Sequence, residues 1–106
     1  MTESVPFACD MAAIPAEQRA THHALSRQLT SEAAVEIRDT PDGLYFSFLA
    51  AAYDDVVRFI AYERLCCPFL RFALDIAPQG GRISLTLTGP PGAAAFIRAE
   101  LDLDGA

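Results

Sequence analysis

The stretch LRFALDIAPQGGRISLTLTGPPG, residues 70–92, carries the clearest strand pattern in the chain. Apolar residues occupy every second position on both sides of a turn at 78–81, and polar or small residues fill the positions between them. Alternation with period 2 around such a turn predicts a β-hairpin with one buried face. The expected buried face consists of Leu70, Phe72, Leu74, Ile76, Ile83, Leu85 and Leu87.

The same pattern occurs earlier, over residues 34–50. Val35 and Ile37 alternate with charged residues before a turn at Pro41-Asp42-Gly43, and Leu44, Phe46 and Phe48 alternate with polar ones after it. Proline, aspartate and glycine are turn formers with known backbone preferences. Residues 34–50 are therefore predicted to form two antiparallel strands.

Three segments flanking the hairpins are predicted to be helices. The first begins at Pro15, because proline is tolerated at the first helical position, and runs to about Leu29. The second runs from Tyr53 to Cys66 and is stopped by Pro68. The third spans Ala93 to Leu103. The apolar sides comprise Ile14, Gln18, Thr21, His22, Leu25 and Leu29 in the first helix and Phe96, Ile97 and Leu101 in the third.

The order helix, hairpin, helix, hairpin, helix predicts an α+β fold, a two-layer sandwich in which helices cover one face of an antiparallel sheet. With 106 residues, 52% of them hydrophobic, the chain is expected to be a single domain over residues 1–106, with an N-terminal lead at 1–13 that carries Cys9. A chain of this length buries enough surface to need no disulfide or metal for folding. The order of the strands stays open.

Charge and composition exclude several classes of partner. The net charge is −6, because 14 acidic residues outnumber the 8 basic ones, all of which are arginines. Nucleic acids and anionic membranes lose their main attraction without a basic patch. No signal peptide or apolar membrane span is visible, so a cytoplasmic protein is expected. Three cysteines, an odd number, are typical of free thiols in a reducing compartment.

The stretch ERLCCPFLRF, residues 63–72, holds the only local chemistry that stands out. Glu63 falls on the apolar face of the second helix, and Cys66 and Cys67 follow at i+3 and i+4, above that carboxylate. A buried carboxylate requires a partner, which could be Arg64, Arg71, a backbone donor or a metal-linked thiol. An ordinary ion pair at the rim of the core is the alternative. Glu100 likewise falls on the apolar face of the third helix. An acidic residue on an apolar face can therefore simply indicate that the helix frays or turns this face towards solvent.

Adjacent thiolates can both contact a soft ion such as Hg(II), Cu(I) or trivalent arsenic. Structural zinc prefers the wider C-x-x-C spacing, so the pair is a poor zinc signature. Cys9 is the candidate for a third sulfur and His22 for a nitrogen, with His23 pointing away. The sequence thus predicts a soft-metal site at Cys9, Cys66 and Cys67, supported by Glu63, Arg64 and His22. The alternative is that the cysteines are core packing, as free cysteine often is.

A redox function is a further alternative for the same cysteines. Cys66 lies at a helix C-terminus, where the helix dipole opposes a thiolate, while Arg64 and Arg71 favour it. These effects are expected to cancel, which argues against a strongly activated nucleophile. The sequence also shows no catalytic Ser/His/Asp arrangement, phosphate-binding glycine loop or carboxylate pair. A protein without catalytic machinery is therefore expected.

The elements FACDM, IPAEQRATHHAL, ERLCCPFLRFAL and LTLTGPPGAAAFIRAEL together resemble a small family of uncharacterised bacterial proteins of similar length. That family has an N-terminal Cys-Asp or Cys-Asn, a central E-R-x-C-C-P-F, an F-x-L strand and a G-P-x-G before the last helix. Leu70 stands here where a second aromatic residue is expected. The resemblance implies that Cys9, Cys66 and Cys67 belong to one pattern. Some members of that family occur in contexts related to heavy-metal resistance. The resemblance therefore implies metal sequestration or sensing for this chain.

The competing class is a structural or interaction module, most simply a homodimer. The second face of the predicted sheet has little charge, and such a face can stay in water or pack against its twin. Its members are Tyr45, Ser47, Leu49, Ala73, Ser84, Thr86 and Thr88.

Overall fold

The structure, a computed structural model, describes residues 10–101 and residue 103. Within them the chain has the predicted α+β composition, with three α-helices and one four-stranded antiparallel sheet. The helices are α1 (Arg19–Gln28), α2 (Tyr53–Cys66) and α3 (Ala93–Glu100), and the strands are β1 (Ala34–Thr40), β2 (Gly43–Phe48), β3 (Arg71–Ile76) and β4 (Ile83–Thr88).

The strands lie in the order β1-β2-β4-β3, and every neighbouring pair is antiparallel. The central β2–β4 pair runs from Gly43 opposite Thr88 to Phe48 opposite Ile83. Glycine permits this close approach, because a Cβ at position 43 would collide with the carbonyl group of Leu87. The joining of β2 to β4 leaves β1 and β3 at the two edges of the sheet.

The main core lies between the helices and the two central strands. Leu85 and Leu87 of β4 are buried, while Ser84, Thr86 and Thr88 between them are only half-buried, as the alternation predicts. Burying a large aliphatic or aromatic side chain stabilises the fold by roughly 1.5–3 kcal/mol. The main contributors are Leu25, Leu29, Leu44, Phe46, Phe48, Val56, Phe59, Leu85, Leu87, Ile97 and Leu101.

The predicted burial of β3 is wrong at its far end. Phe72 is half-buried, but Leu74 is 37% and Ile76 52% exposed, although Leu85 and Ile83 opposite them on β4 are buried. The edge position of β3 explains the difference, because a strand with one neighbour lies at the margin of the core.

The predicted first helix begins too early. Pro15 is extended, with ψ 136°, and residues 16–18 form a 3₁₀ turn, so α1 starts at Arg19. Arg19 explains part of this geometry, because its Nε donates to the carbonyl groups of Met11 and Ile14 and holds the preceding chain in tight turns. Of the predicted stripe, Ile14, His22, Leu25 and Leu29 are buried, Gln18 is half-buried and Thr21 is exposed.

The other two helices are close to their predicted lengths. Helix α2 matches the prediction from Tyr53 to Cys66, and α3 ends at Glu100, before the predicted Leu103. Gly92, with φ 97°, precedes α3 in the left-handed conformation that favours glycine. In the part of the chain that the structure describes, no helix has the length and apolar character that crossing a bilayer requires.

Candidate metal centre

The C-terminal end of α2 places Glu63, Cys66 and Cys67 on one side of the helix. Pro68 ends the helix, and Cys67 caps it with φ −123° and ψ 69° while its N–H donates to the Glu63 carbonyl. The Cys66 sulfur lies 3.8 Å from Glu63 Oε1 and the Cys67 sulfur 3.4 Å from Oε2. The two sulfurs are 3.6 Å apart. All three side chains are buried, so the i, i+3, i+4 spacing produces a compact donor cluster.

Helix α1 brings His22 into the same cluster. Its Nε2 lies 2.8 Å from Glu63 Oε1, and both side chains are at most 3% exposed. The ring stacks on Phe59 at 5.6 Å between centroids and meets Tyr62 edge-on at 6.1 Å. The direction of this hydrogen bond depends on the tautomer of His22. Nδ1 is buried and has no hydrogen-bond partner among the described residues.

Helix α3 contributes a second carboxyl group. Glu100 is half-buried, and one of its carboxyl oxygens lies within 4.8 Å of a Glu63 oxygen and of the Cys67 sulfur. Burial first, and then the charge of Glu63, raise the pKa of Glu100 to about 8. A carboxyl group that shares a site with another must keep a proton or gain a cation, because two adjacent carboxylates repel each other.

Two overlapping sets of donor atoms meet the geometry for a metal ion. One comprises His22, Glu63 and Cys66, and the other Glu63, Cys67 and Glu100, with the atoms of each set within 4.8 Å of one another. Glu63 belongs to both sets. A cavity of about 40 Å³ lies beside them and has room for a water molecule or an ion. Its lining residues include His22, Glu63 and Glu100.

The two adjacent cysteines differ in state. Cys66 is a free thiol, and burial, followed by the charges of Glu63 and Glu100, raises its pKa to about 12. The expected cancellation of dipole and arginine effects is therefore wrong, because burial dominates and both Arg64 and Arg71 are exposed. Cys67 takes part in a disulfide bond, contrary to the expectation of free thiols throughout. An odd cysteine count does not tell which sulfurs the fold brings together.

Cys9 lies outside the described residues. Its covalent neighbour Asp10 is anchored at the cluster, because the Asp10 N–H donates to the Cys66 carbonyl at 2.8 Å. The Asp10 side chain also accepts from the N–H of Ala12 and caps the first 3₁₀ turn. The chain that follows Cys9 is thus fixed against the end of α2.

The structure brings together some predicted site residues and leaves others apart. Cys66, Cys67, Glu63 and His22 form one cluster. His23 is exposed and belongs to neither donor set, although it lines the same cavity as His22. Arg64 is exposed, and the partner of Glu63 is His22, which was not among the partners proposed for that carboxylate. The sequence did not predict that Glu100 belongs to the cluster, although it did place Glu100 on the apolar face of the last helix.

Comparisons of the chain with protein-family models, curated proteins and solved structures find no match.

Proposed function

We propose that this protein binds a thiophilic metal ion, for sequestration or sensing, through Cys66 and Cys67 with Glu63 and His22. The observation that supports this most strongly is the convergence of one His22 nitrogen, a Glu63 oxygen and the Cys66 sulfur within 4.8 Å, on three buried side chains. Imidazole, carboxylate and thiolate are the side chains that proteins use to bind transition metals.

A bound cation would relieve costs that the cluster carries without one. A buried polar atom without a hydrogen bond costs about 1–3 kcal/mol, and among the described residues His22 Nδ1 has no such partner. The Cys66 thiol also resists ionisation, first because it is buried and then because the charges of Glu63 and Glu100 oppose a thiolate. A metal ion reverses both penalties, since it accepts the lone pair of an imidazole and stabilises a thiolate.

The two cysteines by themselves favour a soft ion. Two neighbouring sulfurs suit Hg(II), Cu(I) or trivalent arsenic, each of which binds two or three thiolates. Cys67 must be reduced to act as a ligand, so binding is a property of the reduced protein. We assign Cys9 as a third sulfur, which the anchoring of Asp10 at the Cys66 carbonyl supports.

The test is native mass spectrometry of the reduced protein with one equivalent of Hg(II), Cu(I), Zn(II) or arsenite. We expect a one-to-one adduct with at least one ion, and its loss in the Cys66→Ser, Cys67→Ser double variant. An equal adduct in the double variant, or none in the wild type, would refute the proposal.

Two histidine variants provide a matched control. His22→Ala removes a cluster nitrogen, whereas His23→Ala removes an exposed neighbour on the same helix. Loss of a ligand or of its orienting partner costs roughly 10-fold or more in metal affinity. We expect His22→Ala to weaken the adduct by at least that factor and His23→Ala to leave it unchanged. Equal affinities would remove His22 from the site.

Thiol redox chemistry is a second candidate at the same residues, and the disulfide at Cys67 beside the free Cys66 thiol favours it. A dithiol reductant breaks the Cys67 S–S bond, gives two protein thiols and is itself oxidised to a disulfide. A redox titration followed by mass spectrometry tests this candidate. A potential near that of cellular dithiols supports sensing, whereas a much lower one indicates a structural bond.

Self-association is a third candidate, favoured by the exposed apolar side chains of β3. Leu74 and Ile76 are exposed on β3, which among the described residues is an edge strand and so presents N–H and C=O groups for pairing. The partner that fits is a second copy, because two identical antiparallel edges complement each other about a two-fold axis. We expect a dimeric mass for the wild type and a monomeric mass for Ile76→Arg. A monomeric wild type at micromolar concentration contradicts it.

A further inference from the structure

The carboxyl group of Glu100 gives the cluster a second oxygen donor, which a metal site formed by the two thiols alone does not need. It reaches Glu63 from α3, and Glu63, Cys67 and Glu100 place their donor atoms within 4.8 Å of one another. Two carboxyl groups and an imidazole around a sulfur pair form a mixed set of oxygen, nitrogen and sulfur donors. A site for a purely soft ion needs only the sulfurs, because carboxylate oxygen is a hard ligand.

His22 supplies an independent sign that a ligand belongs here. Its side chain is 3% exposed, its Nδ1 has no hydrogen-bond partner among the described residues, and the ring lines the same cavity as Glu63 and Glu100. The cavity of about 40 Å³ exceeds the space that one water molecule requires. Room for an ion or a metal-bound water therefore adjoins the His22 ring and two carboxyl groups.

We propose that Glu100 is a metal ligand, and that with it the cluster selects a divalent cation of the zinc class that accepts mixed oxygen, nitrogen and sulfur donors. Zn(II) is bound by cysteine, histidine and glutamate side chains in four-coordinate sites. The inference depends on the proposed metal-binding function and changes its preferred ion: the sulfur pair alone favours a soft ion, whereas the added oxygen and nitrogen donors favour zinc. In this arrangement α1, α2 and α3 each contribute a ligand, so binding connects the last helix to the first two.

The experiment compares affinities for Zn(II) and Hg(II) in the reduced full-length wild type, Glu100→Gln and Glu17→Gln. Glu100→Gln keeps the size and hydrogen-bonding ability of the side chain but removes its charge. Glu17 is exposed and serves as the matched control. Removing a ligand or its partner typically weakens metal binding by about 10–100-fold. We expect Glu100→Gln to lose that factor for Zn(II) and to keep Hg(II) binding through the sulfurs, with Glu17→Gln unchanged.

The outcomes separate this inference from the function on which it depends. Equal Zn(II) affinity in all three proteins, or equal losses for both ions in Glu100→Gln, overturns the role of Glu100 in selecting the ion, and the two carboxyl groups then only share a proton. A wild type that binds neither ion overturns the metal-binding function itself. Circular dichroism of each variant identifies a folding defect as the origin of any loss.

Cobalt(II) substitution gives a readout that does not depend on folding stability. Co(II) occupies zinc sites, and its spectrum reports both thiolate ligation and the symmetry of the remaining donors. We expect Glu100→Gln to shift the ligand-field bands while the thiolate charge-transfer band persists. The ligand-field bands of Glu100→Asp should lie between those of the wild type and those of Glu100→Gln. Superimposable wild-type and Glu100→Gln spectra contradict ligation by Glu100.

Discussion

Glu63 connects the candidate ligands of the cluster, because each of its carboxylate oxygens contacts a different cysteine. Oε1 lies near His22 Nε2 and the Cys66 sulfur, while Oε2 lies near the sulfur of Cys67. A buried carboxylate of this kind needs compensation, which the imidazole supplies in part. Glu63 therefore makes the site favourable for cations and unfavourable for free thiolates.

The first consequence concerns the reactivity of Cys66. With its pKa raised from 9.0 to about 12, the thiolate fraction at neutral pH falls roughly a thousandfold relative to an ordinary cysteine. We expect iodoacetamide to label Cys66 at least about a hundredfold more slowly in the native reduced protein than in urea. Peptide mapping by mass spectrometry identifies the modified residue. Equal rates in the native and unfolded states would show that the thiol is neither buried nor protonated as described.

The second consequence concerns stability at His22. Replacing His22 with alanine leaves the Glu63 carboxylate buried without its imidazole partner and removes the ring stacked on Phe59. We expect a loss of at least about 2 kcal/mol in the free energy of unfolding. His23→Ala, at an exposed position, should change it by less than about 0.5 kcal/mol. Urea denaturation measures both, and similar losses would argue against the buried pair.

The third consequence is a dependence of stability on pH from Glu100. Its pKa rises from 4.5 to about 8 on folding, so the folded protein holds more protons than the unfolded one between these values. The stabilisation is present below pH 4.5 and is lost as the pH rises through 8. We expect Glu100→Gln to flatten this decline by about 1 kcal/mol, a value reduced for partial exposure. Denaturation of the wild type and variant across pH measures it, and parallel curves contradict it.

Helical spacing within α2 was enough to predict the proximity of Glu63, Cys66 and Cys67. Their spacing is local, and local spacing fixes which side chains share a helix face. The partner His22 lies 41 positions away from Glu63, and helical spacing carries no information about such a contact. The proximity of Glu100 to Glu63 likewise depends on how α3 packs. The chemistry of the cluster therefore required the fold.

At the scale of elements, local signals determined the boundaries that the sequence predicted well. Helix α2 begins at Tyr53 and ends at Cys66, because nothing breaks it until Pro68. The pairing of β2 with β4 and the exposure of β3 depend on tertiary contacts, which alternation does not encode. Alternation predicted equal burial for Leu74 and Leu85, yet only the latter lies under the helices.

A pair of alanine substitutions tests this difference between an edge strand and a central strand. Leu74 and Leu85 are directly opposite each other in the β3–β4 pair, but Leu74 is 37% and Leu85 2% exposed. Leu85→Ala should cost about 2–5 kcal/mol, as for other buried leucines, and Leu74→Ala less than about 1 kcal/mol. Chemical denaturation gives both values. Equal losses would place β3 inside the core.

At the scale of the whole molecule, three helices distant in sequence converge on one acidic, sulfur-containing cluster. The chain carries a net charge of −6, and the cluster brings the ionisable groups of Glu63, Cys66 and Glu100 together where solvent screens charge poorly. Any ion that binds only the folded state stabilises it in proportion to the logarithm of its concentration. Metal loading should therefore raise the melting temperature of the reduced protein and leave that of the double cysteine variant unchanged.

The most direct measurement is an X-ray absorption spectrum at the metal edge of the reduced protein, loaded with one equivalent of Hg(II) and freed of excess ion. We predict a first shell that contains at least two sulfurs, and loss of that shell together with the bound metal in the Cys66→Ser, Cys67→Ser variant. A wild type that retains no metal, or the same sulfur shell in the variant, would contradict the assignment of this cluster as a metal site.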